Sequence, residues 1–171
     1  MKIINIVATV KLSAPFDLQY ILNSIEGTKR NPKVHWLQLR LPPENTYIAF
    51  YQSGKFLVTA KSMEKLQKNI DIVLSLLKNA KIDVNGAKTD IHNIVITHPL
   101  ELKSTIENLM SVLDAKKASY EPEQFPALIY KDWGVNFLLF STGKCIITGA
   151  RTEKQAREAI NKFQDLLNRC T

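Results

Sequence analysis

The chain contains a duplication, and no other feature restricts its possible folds as tightly. "NIVATVKL" (Asn5 to Leu12) returns as "NIVITHPL" (Asn93 to Leu100), and "SGKFLVTAKS" (Ser53 to Ser62) returns as "TGKCIITGART" (Thr142 to Thr152). The offset is 88 residues at Asn5/Asn93 and 89 at Lys55/Lys144, so order and spacing agree across most of each half. A chain that repeats one supersecondary unit must build two like halves with the same burial problem to solve in each. The 171 residues then divide into a first repeat over 1–83, a linker over 84–90 and a second repeat over 91–171, close enough to count as one domain. The linker carries the Asn85-Gly86 turn signal.

Each half reads as β-α-β-β-β-β-α. A strand opens it, "INIVATV" or "HNIVITH". A short helix follows, with Phe16, Leu18, Ile21, Leu22 and Ile25 at three- and four-residue spacing, matched by Leu102, Ile106, Leu109, Met110 and Leu113. Pro15 and Pro99 suit the start of these helices, where a missing N–H costs nothing. Four shorter strands lead through a Ser-Gly-Lys or Thr-Gly-Lys hairpin turn to a longer amphipathic helix, over 62–78 and 152–168, with Ser62 and Thr152 at the N-cap.

Strand side chains alternate between faces, so Asn5, Val7 and Thr9 share one face and Ile6 and Ala8 the other. By the same count Leu57 pairs with Thr59, Asn93 with Val95 and Thr97, and Ile146 with Thr148. The alternates Ile6, Val58, Ile94 and Ile147 make the helix-facing core. The opposite face then holds Asn, Val, Thr, Leu and Ile without charge, which suits a shallow groove better than bare solvent.

The remaining features exclude more than they assign. With 45% hydrophobic and 23% charged residues the chain is expected to be globular, and no apolar run approaches the roughly 20 residues of a membrane span. The net charge of +7 fits an acidic partner such as nucleic acid. Cys145 and Cys170 are expected to be reduced, and the protein to stay inside the cell, in the cytoplasm or nucleoid of a prokaryote or the nucleus of a eukaryote. His92 and His98 have the parity opposite to Asn93 and are expected to face away from the groove. No catalytic set, metal site or cofactor motif is expected. From alternation alone, Phe125 and Phe140 could be core or partner-facing.

"NIVATVKL", "SYEPEQFPALIY" and "LLFSTGKCIITGAR", backed by the repeat, resemble the TATA-box-binding protein family in its compact archaeal form, over nearly the whole chain. The resemblance implies an α+β fold: a pseudo-two-fold saddle with a curved ten-stranded antiparallel sheet and helices on the convex side. It also implies a non-enzymatic general transcription factor that binds the minor groove of an A·T-rich promoter element, bends it, and recruits transcription factor B and, indirectly, RNA polymerase. This family is itself the standing example of minor-groove binding by apolar wedges that kink the duplex, so the kink is a family property and not a deduction from this chain.

Carried over residue by residue, the family's base-edge and groove contacts fall on Asn5, Val7, Leu57, Thr59, Asn93, Val95, Ile146 and Thr148. Its wedges fall on Phe125, followed by Pro126, and on Phe140. In the first repeat they fall on Tyr51 and on Val34 or His35, with Trp36 beside them as the available aromatic. Phosphate contacts fall on Arg40, Lys55, Lys61, Lys131, Lys144 and Arg151. The transcription factor B loop falls on Glu121, Glu123 and Gln124. The first repeat departs from the pattern at its wedges, and "VTAKS" lacks the glycine of "ITGAR". Those departures motivate an alternative: a divergent paralogue with weak or no TATA binding that acts as a protein-interaction or regulatory module.

Overall fold

The structure, a computed structural model, describes residues 1–170. The chain forms two compact units, one of Asn5–His92 and one that takes Met1–Ile4 with the chain from Asn93 on.

The first unit carries β1 (Lys2–Lys11) from Asn5 on, β2 (Lys29–Arg30), β3 (Leu37–Leu41), β4 (Thr46–Tyr51) and β5 (Lys55–Ala60), with helices α1 (Leu18–Ser24) and α2 (Met63–Asn79). Its strands lie in the order β2-β3-β4-β5-β1, every pair antiparallel. The second unit carries β6 (Lys88–Pro99) from Asn93 on, β7 (Ala118–Ser119), β8 (Ala127–Asp132), β9 (Val135–Phe140) and β10 (Lys144–Ala150), with α3 (Ile106–Val112) and α4 (Glu153–Arg169). Its order is β6-β10-β9-β8-β7, again antiparallel throughout. The β-α-β-β-β-β-α reading of each repeat therefore holds element by element.

One face of each sheet is buried under helices. Ile6, Val58, Ile94 and Ile147, expected as core, are fully buried. Helix α2 lays Leu66, Ile70, Val73 and Leu77 on the first sheet, and α4 lays Ala156, Ala159, Ile160, Phe163 and Leu167 on the second. Phe163 stacks on Tyr130 with ring centres 4.9 Å apart and meets Phe137 at 4.3 Å. Ser62 and Thr152 cap these helices as expected, accepting from the N–H groups of Lys65 and Gln155 at 3.2 and 3.0 Å.

The short helices begin later than the prolines suggest. Asp17 caps α1 by accepting from Tyr20 N–H at 3.1 Å, and Thr105 caps α3 by accepting from Asn108 N–H at 3.3 Å. Side-chain capping decides both starts, and Pro99 instead ends β6.

The two Gly-Lys turns are hairpins. Gly54 and Gly143 sit at φ +88° and +84°, and their carbonyls accept from Leu12 N–H at 2.9 Å and Leu100 N–H at 2.8 Å. A Cβ on Gly54 would stand 2.3 Å from Ala14 O, and one on Gly143 2.6 Å from Leu100 O. Both backbone conformation and crowding therefore demand glycine.

Phe163→Ala should destabilise the protein by about 3–5 kcal/mol, because a fully enclosed ring leaves a cavity; urea unfolding followed by circular dichroism measures it. Burial pushes the Cys145 thiol up to about 12, since no solvent is present to carry the thiolate's charge. In a Cys170→Ala protein at pH 8, Cys145 should resist a thiol reagent in the folded state and react fully in urea.

Candidate nucleic-acid interface

The face of each sheet away from the helices is set by strand register. In the first unit Val7 lies across from Thr59, Thr9 from Leu57, and Lys11 from Lys55. Ala49 and Tyr51 of β4 continue the rows beside Leu57 and Lys55, and Gln38 and Arg40 of β3 follow opposite Ala49 and Tyr47. In the second unit Thr97 pairs with Ile146, Ile146 with Leu138, and Leu138 with Ile129. Asn136 lies across from both Thr148 and Lys131.

Paired residues on neighbouring strands share a face. The eight residues expected as groove contacts thus fall on the helix-free faces: Asn5, Val7, Leu57 and Thr59 in one unit, Asn93, Val95, Ile146 and Thr148 in the other. All eight are half-buried, while the intervening alternates are buried. Thr9 and Thr97 lie on this face as the alternation predicts, and register adds Ile129, Asn136 and Leu138, with the fully buried Ala49 beneath Leu57's row, which the sequence reading did not single out. The alternation of "VNFLLF" and "ALIYKD" contains that signal, but only once the hairpin register is known.

At one edge of the second unit's face, the rings of Phe125 and Phe140 meet at 6.1 Å and 63°. Phe125 is 38% exposed, which resolves the open question for this ring: it is not core. Pro126 beside it is exposed as well. The preceding loop is folded by Gln124 and Phe125, whose N–H groups both donate to Glu121 O at 2.9 Å. Glu121, Glu123 and Gln124 stand exposed on it.

The first unit has a different edge. Extending the β3–β4 register from Leu37–Phe50 by one residue sets Trp36 across from Tyr51, and their rings meet at 5.6 Å. Trp36 Nε1–H donates to Tyr47 Oη at 2.8 Å, and the Arg40 guanidinium lies 4.7 Å over the Tyr47 ring. Burial, with Tyr47 close by, pushes the Tyr51 phenol above its usual range, so it remains neutral at physiological pH. Val34 and His35 do not join this pair; they line a cleft with Pro15, Phe16 and Gln52. The same register places Val34 at the position corresponding to Phe125 and Trp36 at that of Ala127, so the aromatic partner of Tyr51 comes from two residues further on.

The basic candidates Arg40, Lys55, Lys61, Lys131, Lys144 and Arg151 are all exposed. None of the six forms an ion pair with a carboxylate among the described residues. Arg40 is the most constrained, donating to Asn45 O at 3.2 Å as well as covering Tyr47. His92 departs from the parity argument: its Nε2 lies 2.7 Å from Thr9 Oγ1, a residue on Leu57's face. Among the described residues no cluster of three His, Cys, Asp or Glu side chains could hold a metal ion. No described helix is long and apolar enough to cross a membrane.

This arrangement can meet a flat partner with apolar contact and a few polar groups, ringed by cations. The family described as "Transcription factor TFIID (or TATA-binding protein, TBP)" matches residues 1–80 and 88–170. A TATA-box-binding protein of Picrophilus torridus is 34% identical over 94% of this chain and 90% of its own length. One from Pyrodictium occultum is 37% identical over 96% of this chain and 84% of its own. A solved structure, "Methanococcus jannaschii TBP", matches with a TM-score of 0.87 at 32% identity, covering 98% of both chains. That likeness bears out the α+β fold class, with its ten antiparallel strands and four helices. The chain therefore belongs to the TATA-binding protein family, whose members are transcription factors and not enzymes.

Proposed function

We propose that the two helix-free faces bind the minor groove of an A·T-rich promoter element, bend it, and present it to transcription factor B and, through that factor, to RNA polymerase. The observation that carries this reading is the chemistry of those faces. Asn5, Asn93, Thr59 and Thr148 offer polar groups among Val7, Val95, Leu57 and Ile146, with no charged side chain among these eight. The minor groove shows A·T and T·A as nearly the same set of acceptors, whereas guanine adds an amino group that apolar side chains cannot satisfy. Such a face therefore prefers A·T pairs without distinguishing their orientation.

Phe125 and Phe140 are the wedges of the second repeat. Inserted at a base step, they exchange water for stacked bases and convert apolar exposure into a kink. Tyr51 with Trp36 takes that place in the first repeat, while Val34 and His35, in their cleft, have no direct part in it. Lys55, Lys61, Lys131, Lys144, Arg151 and Arg40 contact phosphates, which position the duplex without reading it. Glu121, Glu123 and Gln124 form the exposed acidic loop offered to transcription factor B.

A second reading is favoured by one observation. The first repeat's edge presents a hydrogen-bonded Trp36–Tyr47 pair and a Tyr51 hydroxyl in place of bare phenyl rings. A protein that held factor B through the Glu121 loop without bending DNA would fit that edge.

Fluorescence transfer between dyes at the ends of a TATA duplex separates the two readings. The first expects a shortened end-to-end distance on binding at low salt; factor B capture with no change in distance supports the second. Phe125→Ala should cut the bend while costing less than about 1 kcal/mol of folding stability, because its ring is already part-exposed. Unfolding by that substitution would return Phe125 to the core.

If all six cations neutralise phosphates, the log–log dependence of affinity on salt should have a slope near −5, at about −0.9 per contact. Lys144→Ala should make that slope shallower by about 0.9, equally on A·T-rich and G·C-rich duplexes. A loss confined to the A·T duplex would make Lys144 a base-reading residue instead.

A further inference from the structure

Asn5 and Asn93 occupy the same place in the repeat but not the same environment. From Lys144 to Thr152 the second repeat spends one residue more than the first does from Lys55 to Ser62, and the extra residue is Gly149. In the second unit Ile147 pairs with Ile96, and the next registered pair is Ala150 with Ile94. Thr148 and Gly149 therefore stand where one residue would, which is a β-bulge. In the first unit β5 runs against β1 without a break from Ala60 to Lys55.

The bulge has a chemical consequence. Gly149 lies at φ +92°, and a Cβ there would meet nothing closer than 3.5 Å, so conformation and not crowding requires glycine. Its N–H leaves the ladder and donates to Asn93 Oδ1 at 2.7 Å. A backbone N–H can only donate, so the atom facing it must be the carboxamide oxygen, and the orientation of the amide is settled. Asn93 Nδ2 is left as the outward end, carrying two N–H donors. Asn5, with no bulge opposite, has no hydrogen-bond partner for its amide among the described residues, and can turn either end outward.

We infer that Gly149 is a positioning residue: its N–H fixes the Asn93 carboxamide with only donors outward, which makes the second repeat the stringent half of base reading and leaves the first permissive. The inference rests on the minor-groove reading above. Adenine N3 and thymine O2 accept from a fixed Nδ2, whereas the guanine amino group opposes it donor to donor. A free Asn5 can rotate and accept from that amino group through Oδ1.

The test uses the full chain and an A·T-rich duplex in which each A·T pair is replaced in turn by G·C and by inosine·C, whose minor groove lacks the amino group. In one half of the element G·C should weaken binding about 10-fold or more and inosine·C should restore it, while in the other half G·C should cost less than about 3-fold. Deleting Gly149 should make both halves permissive. Inserting a glycine between Thr59 and Ala60 should make both stringent. These outcomes do not depend on which way round the protein sits on the duplex.

Equal penalties in the two halves, or a Gly149 deletion that still binds and keeps the asymmetry, would overturn the inference alone. Should the deletion fail to fold, Asn93→Ala must abolish the asymmetry and Asn5→Ala must preserve it; the reverse pattern overturns the inference. Failure of the unaltered protein to bind the A·T duplex at low salt would instead overturn the minor-groove reading, and the inference with it.

Discussion

Each half of the chain has a five-stranded sheet and two helices to cover it, and both long helices are spent on one face. α2 and α4 are 17 residues each, and their apolar stripes seal Val58, Ile6, Ile147 and Ile94 from water. The period of a strand is two, so every residue of that sealed face has a neighbour pointing the other way. The opposite face must therefore be soluble enough to stand in water, yet it is built from Val, Leu, Ile, Thr and Asn. Core and interface are two readings of one alternation, and a slip of register by one residue would exchange them. Under the proposed function stability and recognition are tied together for that reason, and substitutions in the strands should divide by parity into those that unfold and those that change binding.

Much of this was legible because it is local. Alternation in "NIVATV" and "NIVITH", the three- and four-residue spacing of the helices, and the hydroxyl caps at Ser62 and Thr152 all depend on nearest neighbours along the chain. The readings that missed depend on something a string of residues does not carry. Asn136, Leu138 and Ile129 join the face through cross-strand pairing, and the pairing is decided by hairpin geometry. The starts of α1 and α3 are decided by a competition between a proline and a side-chain cap two to six residues later, which Asp17 and Thr105 win because each satisfies an N–H that the helix would otherwise leave orphaned. Counting along the first repeat reaches Val34 or His35 with Trp36 beside them, and only register shows that Trp36 is the one across from Tyr51.

The duplication also separates what the fold requires from what only the face requires. Gly54 and Gly143 hold the same turn in both repeats, and a Cβ at either would strike a backbone oxygen, of Ala14 or of Leu100, instead of a side chain that could swing aside. That position has no freedom, and both repeats keep it. A Cβ on Gly149 would meet only ordinary van der Waals neighbours, and the first repeat does without the bulge altogether, running β5 straight along β1 with its core intact: Ile6, Val58 and Ala60 remain buried. The bulge is thus dispensable to packing, and the hydrogen bond it makes to Asn93 is felt only on the open face. The aromatic edges follow the same rule. Phe125–Phe140 and Trp36–Tyr51 each put an aromatic pair at an edge of their unit, at similar ring separations and with different chemistry, one pair bare and one tied to a hydroxyl. Two halves that fold alike can therefore differ on their helix-free faces without loss of the fold, and the bulge and the aromatic edge are two places where this chain does so.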